Sequence, residues 1–423
     1  MRMKLTIAML LLAWVVGPAP AAAGPGDGIR IGGTGGRLHP YLELEPRYDS
    51  NVYLADPTTG TGAVGDFIIH FRPGLRLDIP GDPVKLTFDG ALDWAQYTGA
   101  QGATSGLSHL YAYALLGVMV NEHGTVSLDA GDDFWRTNNS PSMSLGSAVI
   151  TNFNTLHAKV PWTPGGGALV LTTTGTWVLE SFEPYYSGAV CDPNAYPGCS
   201  SSYYSKLGYN ELRATEAISW KFLPRTSAVF EAEFFDRIPV DRTVSVGVDG
   251  LRVRAGATGL VTAHFAATLK AGYGDTLHSA GVPYGTWLLT AEGEWIGNEL
   301  MGAKAGYVHD LGSDPGNEFA LYDLNRAYAD GRLQLTSGPT LELRADWERR
   351  DYHQTPSSTL PPGANAQLLH VQPSIEGELT RWLKLAGGYT FTKRMSHLPT
   401  VTTPIAAYNY SKNEVWVRAT FTY

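Results

Sequence analysis

The feature that most constrains this 423-residue chain is a long series of segments in which apolar and polar residues alternate one by one. In the segment from Val84 to Tyr97 the even positions are mostly apolar, whereas the odd positions include Lys85, Asp89 and Asp93. A repeat of two residues places the two kinds of side chain on opposite faces of a β-strand, because a helix repeats about every 3.6 residues. The pattern therefore predicts strands with one apolar face and one polar face.

The predicted strands are joined by two kinds of connection. Long connections alternate with short turns such as Pro80-Gly81-Asp82-Pro83, and the chain divides into about 18 strands with about nine long and about eight short connections. This alternation predicts an all-β fold, a closed antiparallel transmembrane β-barrel of about 18 strands. The first strand, predicted at 39–53, should pair with the last, at 409–423, because lipid leaves no unpaired strand edge.

Composition agrees with a wall that separates lipid from water. The chain has 48 Gly, 22 Tyr and 11 Trp, with a mean hydropathy of −0.12, and half-polar strands rich in aromatic residues suit such a wall. Aromatic residues near strand ends are predicted to form girdles at the membrane interfaces, in preference to sites that stack on sugars. These residues are Tyr53, Tyr97, Trp135, Trp162, Trp220, Trp295 and Trp382.

Residues 1–23 are predicted to be a secretory signal peptide. Arg2 and Lys4 form its basic start, residues 5–16 its apolar stretch, and three alanines at 21–23 its cleavage site. The apolar stretch is too short to cross a bilayer as a helix, which needs about 20 apolar residues. We therefore expect an exported protein that no helix holds in a membrane.

The rest of the chain is predicted to contain a flexible periplasmic segment, 24–38, followed by the barrel, 39–423. Removal of Arg2 and Lys4 would lower the 31 basic residues to 29 against 40 acidic ones, a formal charge of −11. This balance argues against nucleic acid as a partner.

The last strand ends on an aromatic residue. Its apolar face is formed by Val415, Val417, Ala419, Phe421 and Tyr423. A final strand of this kind resembles the assembly signal of bacterial outer-membrane β-barrels. An ordinary half-buried strand of a soluble sheet would show the same local pattern, and the series of strands before it favours the barrel.

If the apolar register faces lipid, the opposite register lines the interior, which is predicted to be wet and charged. The pore-lining candidates are Glu43, Glu45, Arg47, Lys85, Asp89, Asp93, Glu231, Glu233, Arg252, Arg254, Glu292, Glu294, Arg326, Arg332, Glu342, Arg344, Asp346, Lys384 and Arg418. Both signs of charge occur, so that a ladder of ion pairs is one interpretation. The alternative is that each charge is simply solvated and braces the inner wall.

Cys191 and Cys199 flank a turn-rich segment in the longest connection. In an oxidising compartment they are predicted to form one local disulfide, since two cysteines offer too few ligands for a metal site. The same connection, Glu183 to Tyr203, is also the candidate for a constriction loop that folds into the barrel.

The sequence contains no GxSxG, HExxH or phosphate-binding loop, and its 11 histidines are scattered. We therefore expect no enzyme activity, no metal and no cofactor. A catalytic group assembled across several strands is the alternative that sequence leaves open.

The segment Tyr48-Asp49-Ser50-Asn51-Val52, which leaves the first strand, resembles an aromatic-x-Ser-Asn-Val element of a family of bacterial outer-membrane β-barrel porins that accompany exopolysaccharide export systems. The resemblance implies an outer-membrane conduit for a secreted polysaccharide, working with a periplasmic export protein. It would place the barrel in the outer membrane after cleavage of the signal peptide, in contact with lipid and the barrel assembly machinery. Export of the chain and an even number of strands predict that both termini are periplasmic.

Two other functions remain open at this point. One is a diffusion porin for small hydrophilic solutes, and the other is a surface scaffold or receptor that transports nothing. Open conductance would separate the two pores from the scaffold.

Overall fold

The structure is a computed structural model that describes residues 25–33, 35–52, 54, 63–99, 104–138, 149–184, 205–243, 247–277, 284–298, 300–314, 320–335, 338–353, 363–397 and 409–423. The predicted signal peptide, Cys191 and Cys199 lie outside these ranges, and so does most of the predicted constriction loop. The predictions for these parts of the chain therefore stay predictions.

The described residues form 19 strands and two short 3-10 turns, Thr104–Leu107 and Pro164–Gly166. In chain order the strands are β1 (Ile29–Ile31), β2 (Gly36–Asp49), β3 (Asp66–Ile79), β4 (Val84–Tyr97), β5 (His109–Val120), β6 (Leu128–Thr137), β7 (Val149–Trp162), β8 (Leu169–Pro184), β9 (Tyr209–Leu223), β10 (Thr226–Pro239), β11 (Val248–Thr262), β12 (Phe265–Thr276), β13 (Tyr284–Asn298), β14 (Met301–Asp314), β15 (Ala320–Gln334), β16 (Thr340–His353), β17 (Asn365–Thr380), β18 (Leu383–His397) and β19 (Tyr410–Thr422).

Strands β2 to β19 form one closed antiparallel barrel of 18 strands, as the sequence predicts. Each strand pairs with the next, and β19 pairs back onto β2 from Glu414↔Asp49 to Thr422↔Tyr41. The strand ends that the longer connections join, such as Asp49 and Asp66, lie at one end of the barrel, here called the loop end. Short turns such as 80–83 lie at the other, the turn end.

The start of the barrel differs from the sequence prediction. Residues 29–31, expected to belong to a flexible segment, form β1, which pairs with Gly36–Leu38, so that the first barrel strand begins before His39. Gly32 and Gly35 have positive φ and allow the tight turn between the two strands. β19 pairs with β2 only from Tyr41 onward, and β1 therefore covers a strand edge that would otherwise be unpaired.

The two faces of the wall differ in chemistry. On one face, Phe67 and Val417 are each 55% exposed. On the other, Arg254 of β11 reaches across two intervening strands to Asp310 of β14, with Nη2 and Oδ2 2.8 Å apart. Side chains converge in this way only on the concave side of a curved wall, so the charged face is the inner one.

The structure confirms the predicted aromatic girdle only in part. Trp162, Trp220 and Trp295 are exposed on the outer face, and Trp382 is exposed in a turn. Tyr53 lies outside the described residues.

Tyr97 and Trp135 correct the girdle prediction, because both face inward. Tyr97 is buried on the same face of β4 as Asp93. Trp135 stacks on Tyr113, with ring centroids 5.2 Å apart. The phenol of Tyr113 donates to Asp89 on the inner wall, which places the stacked pair inside the barrel. The position of these rings near strand ends suggested a girdle, whereas the two-residue repeat decides which side of the wall they occupy.

Among the residues that the structure describes, no helix combines the length and the apolar character needed to cross a lipid bilayer.

Candidate functional site: the charged interior of the barrel

All the residues predicted to line the pore lie on the inward-facing register of their strands. They do not form an even ladder. The structure gathers them, together with charged residues that the sequence analysis did not select, into two tight clusters at the loop end and a looser set at the turn end.

The first cluster lies at the seam where β2 meets β19, and it is centred on Glu45. The side chain of Glu45 is completely buried. One carboxylate oxygen accepts from Nε of Arg47 at 3.0 Å, and the other accepts from Arg72 at 3.1 Å and from Arg418 at 2.7 Å. Three guanidinium groups from three strands therefore meet on one carboxylate.

Pro46 lies where the backbone pairing across the seam is interrupted. Proline has no backbone N–H, and the pairing between β2 and β19 is interrupted between Trp416↔Arg47 and Ala419↔Leu44. Glu45 and Arg418 lie within that interruption and form an ion pair across the seam, and Arg47, at its edge, pairs with Glu414. Side-chain ion pairs thus join the two strands where the backbone ladder does not.

The seam cluster extends through residues that the sequence analysis did not select. His70 and Arg72 both contact Asp93, at 2.9 and 2.8 Å. Lys412 contacts Asp49 at 2.9 Å and Glu414 at 3.3 Å. The two-residue repeat identified Glu45 and Asp93. It also covers the five residues that were not selected, and applying it to every strand would have found them. These are Asp49, His70, Arg72, Lys412 and Glu414.

The Ser-Asn pair of the segment that suggested a family resemblance has a clear structural role. Ser50 donates its N–H to the carbonyl of Asn413 at 2.9 Å, and its hydroxyl accepts the N–H of Asn413 at 2.8 Å. The side-chain amide of the buried Asn51 donates to the carbonyl of Ser411 at 3.2 Å. These contacts fasten the loop end of β2 to β19 above the seam cluster.

The second cluster holds the end of the β14–β15 hairpin inside the barrel. Pairing of β13 with β14 stops at Leu289↔His309, whereas β14 and β15 stay paired up to Asp314↔Ala320. Leu311 and Leu321, 3% and 2% exposed, pack against Phe235 and Val248. Phe235 shares the inward register of Glu231 and Glu233 on β10, so the hairpin end leaves the wall and lies against its inner face.

Arginines from β10 and β11 satisfy the backbone of this displaced hairpin. Arg252 donates to the carbonyl of Leu311 at 2.7 Å, and Arg237 donates to the carbonyl of Ser313 at 2.8 Å. Arg254 also contacts Asp310, as described above. Strand edges buried without a neighbouring strand need such partners, because an unpaired backbone carbonyl is costly.

The β14–β15 hairpin is therefore an inward-folded element among the described residues. The sequence analysis placed a constriction in the cysteine connection, which lies outside the described residues beyond residue 184. No local signal distinguishes the hairpin in the sequence, since the strands that form it alternate like the others.

The charges at the turn end are more loosely arranged. Lys304 contacts Glu292 at 2.8 Å and Arg326 donates to Asp346 at 2.7 Å, while Lys384 is paired with Glu376. The side chains of Lys304 and Arg344 are 42% and 64% exposed. A cavity of about 550 Å³ opens among Glu294, Lys304, Asp330, Arg332, Glu342 and Arg344. Water reaches these side chains freely.

The described residues contain no group of three or more His, Cys, Asp or Glu side chains placed to hold a metal ion. The expectation that the protein is not an enzyme and binds no cofactor stays a prediction.

No protein-family model and no curated protein matches this chain. Similar solved structures include OccK3 (OpdO) of Pseudomonas aeruginosa, with 12% identity, a TM-score of 0.47 and coverage of 91% of this chain and 96% of the other. OccAB3 of Acinetobacter baumannii has 8% identity, a TM-score of 0.44 and coverage of 92% and 99%. The outer membrane protein opdK of Pseudomonas aeruginosa has 11% identity, a TM-score of 0.41 and coverage of 91% and 99%. None of these findings bears on exopolysaccharide export, and the resemblance carried by residues 48–52 stays a prediction.

Proposed function

We propose that the protein is an outer-membrane channel through which small hydrophilic solutes diffuse. The observation that carries this proposal is the contrast between an apolar, exposed outer face and a concave inner face lined with charged side chains that are open to water at the turn end. Barrels of about 16 to 18 strands are wide enough to enclose an aqueous path.

The outer membrane is the compartment that suits this wall. A closed ladder leaves no strand edge exposed to lipid, and the outward side chains of β3, such as Phe67, Ile69 and Phe71, offer lipid an apolar surface. The proposal includes a cleaved signal peptide at 1–23 and periplasmic termini, which places the loop end outside the cell. Assembly would then depend on lipid and on the barrel assembly machinery.

The clusters at the loop end favour small solutes over a polymer. The β14–β15 hairpin occupies part of the interior and is held there by Arg237 and Arg252, so it narrows the path at that end. Export of a polysaccharide, which the sequence analysis put first, has no comparable support among the contacts of the described residues. We therefore rank the diffusion channel above the conduit and the non-transporting scaffold.

The test is single-channel conductance of the refolded protein in a planar bilayer. We expect open current in potassium chloride, and graded polyethylene glycols should give a size cut-off in the range of small solutes. Absence of current from the correctly folded barrel would contradict the proposal, and a cut-off large enough to pass a polysaccharide would favour the conduit.

A matched pair of variants tests whether the β14–β15 hairpin narrows the path through the barrel. Arg252→Met removes a guanidinium that holds the hairpin, so we expect a larger conductance. Arg344→Met removes an exposed guanidinium at the turn end and should leave the size cut-off unchanged. Equal cut-offs in both variants would show that the hairpin does not set the width of the path.

A further inference from the structure

Trp135 on β6 is a large aromatic residue on the inner wall that remains 41% exposed. Its neighbours in the two ladders are aromatic as well, because Tyr113 of β5 and Phe153 of β7 lie directly opposite it. The rings of Tyr113 and Trp135 are stacked, with an angle of 22° between their planes. Three adjacent strands therefore present an aromatic ridge, formed by Tyr113, Trp135 and Phe153, to the interior of the barrel.

Neither lipid contact nor packing of the wall accounts for the exposure of this ridge. Trp135 cannot belong to an aromatic girdle, since it faces away from lipid. Other inward aromatic residues are closed off from water, because Tyr97 and Tyr111 are 4% and 6% exposed and pack in one cluster with Leu107. A contiguous apolar surface that stays open to water is typical of a binding site. The aromatic ridge is thus a candidate surface for a ligand.

Polar groups lie beside the aromatic ridge, on the side of the turn end. Asp133 precedes Trp135 by two positions and shares its face, and Asp89 of β4 lies in the same row as Asp133. Arg76 donates to Asp89 from Nε at 3.1 Å and from Nη2 at 2.9 Å. The ring of His157 lies over Gly131, where an added Cβ would be 2.6 Å from its Cε1. Successive inward positions of a strand are about 7 Å apart, so that one sugar ring can contact both the ridge and these groups.

We propose that the aromatic ridge binds a neutral sugar, a mono- or disaccharide, on its way through the barrel. One face of a pyranose ring carries mainly C–H groups and packs on an aromatic ring, whereas its hydroxyl groups need hydrogen-bond partners at the edge of the site. Carboxylates accept hydrogen bonds from such hydroxyl groups. This inference rests on the proposed channel and names the class of its solute.

The charge of Asp133 favours a sugar without a negative group. Among the described residues no cation pairs with this carboxylate, whereas Asp89 is paired with Arg76. A sugar acid that stacks on Trp135 would bring a second negative charge close to Asp133, and like charges repel. The site should therefore prefer maltose to glucuronate.

Saturation-transfer NMR on the purified full-length barrel in detergent tests the site and needs no open channel. The probe is maltose, and the competitors are sorbitol, which has hydroxyl groups but no ring, and glucuronate. We expect transfer from the protein to the C–H groups of maltose, with little competition from either compound. Competition by sorbitol as strong as that by unlabelled methyl glucoside would show that the rings do not recognise the sugar, against the inference.

Two tryptophan variants locate the binding. Trp135→Ala removes the exposed ring, and we expect maltose binding to weaken about tenfold or more, whereas Trp135→Phe keeps an aromatic face and should retain most of it. Trp220→Ala removes an exposed tryptophan from the outer face and should bind maltose like the original protein. Unchanged binding by Trp135→Ala, or no binding by the original protein, would overturn the inference.

Asp133→Asn tests the preference for an uncharged sugar without removing a ring. The variant keeps the shape of the side chain and should admit glucuronate, so that the ratio of the two affinities moves towards one. A ratio equal to that of the original protein would show that Asp133 does not face the ligand.

Single-channel recording separates this inference from the proposed channel. We expect maltose to interrupt the potassium chloride current for brief intervals in the original protein and in Trp220→Ala, and much less often in Trp135→Ala. A barrel that conducts but does not bind maltose refutes only the sugar site. A barrel that binds maltose in detergent but carries no current refutes only the channel.

Discussion

The two ends of the barrel interior use the same residue types in opposite ways. At the loop end, Glu45 is completely buried and meets three arginines, and Leu311 packs the β14–β15 hairpin against the wall. At the turn end, Lys304 and Arg344 pair with carboxylates while largely open to water. An ion pair closed off from water is costly to break, whereas an exposed one contributes little. In the proposed channel, the loop end would therefore be the rigid, narrow part and the turn end a hydrated vestibule.

The largest effect expected from this contrast is that of Glu45→Gln. The change removes the buried negative charge that Arg47, Arg72 and Arg418 share. We therefore expect the free energy of unfolding to fall by about 3–5 kcal/mol. Urea unfolding of the refolded barrel, followed by tryptophan fluorescence, measures it.

The control for that variant is Asp346→Asn at the turn end. Its partner Arg326 is 49% exposed, and the expected loss is at most about 1 kcal/mol. Equal losses in the two variants would remove the distinction between the two ends.

Leu311→Ala should have the next largest effect. It opens a cavity beneath the hairpin, and we expect the free energy of unfolding to fall by about 2–5 kcal/mol. The first consequence should be local opening of residues 310–314. Hydrogen exchange should show faster exchange in those residues, and conductance should rise. Leu343→Ala, at an exposed position, is the matched control; if it raised conductance as much, docking of the hairpin would not explain the change.

Ser50→Ala tests the contact that fastens β2 to β19 above the seam. The variant loses the hydroxyl that accepts the N–H of Asn413, and we expect the free energy of unfolding to fall by about 1 kcal/mol. Ser219→Ala, in a strand remote from the seam, should change stability less. A neutral result for Ser50→Ala would mean that the backbone bond between Ser50 and Asn413 is sufficient by itself.

Arg344→Met at the turn end should have the smallest effect on stability, about 0.5 kcal/mol or less, because its guanidinium is mostly solvated. It should instead shift ion selectivity towards cations, as measured by the reversal potential across a salt gradient. At about 1 M salt, where the Debye length is about 3 Å, the shift should largely disappear. A shift that persisted at that salt concentration would place Arg344 in a narrow part of the path.

Several strands show how far sequence alone reaches. The segment predicted from Val84 to Tyr97 agrees with the bounds of β4, because this strand alternates throughout and follows a clear turn. Closure of 39–53 onto 409–423 also followed from the sequence, since lipid tolerates no open edge. Tyr97 and Trp135 were misplaced where position along the strand was weighed above the two-residue repeat.

The sequence by itself determined that the barrel has about 18 strands in simple order, and on which face the selected charged side chains lie, since alternation and turn residues are local features of the chain. Only the tertiary structure decided that three arginines meet at Glu45 and that the end of the β14–β15 hairpin turns inward. These features depend on the register between strands far apart in the chain and on the curvature of the closed wall. No local pattern encodes either quantity.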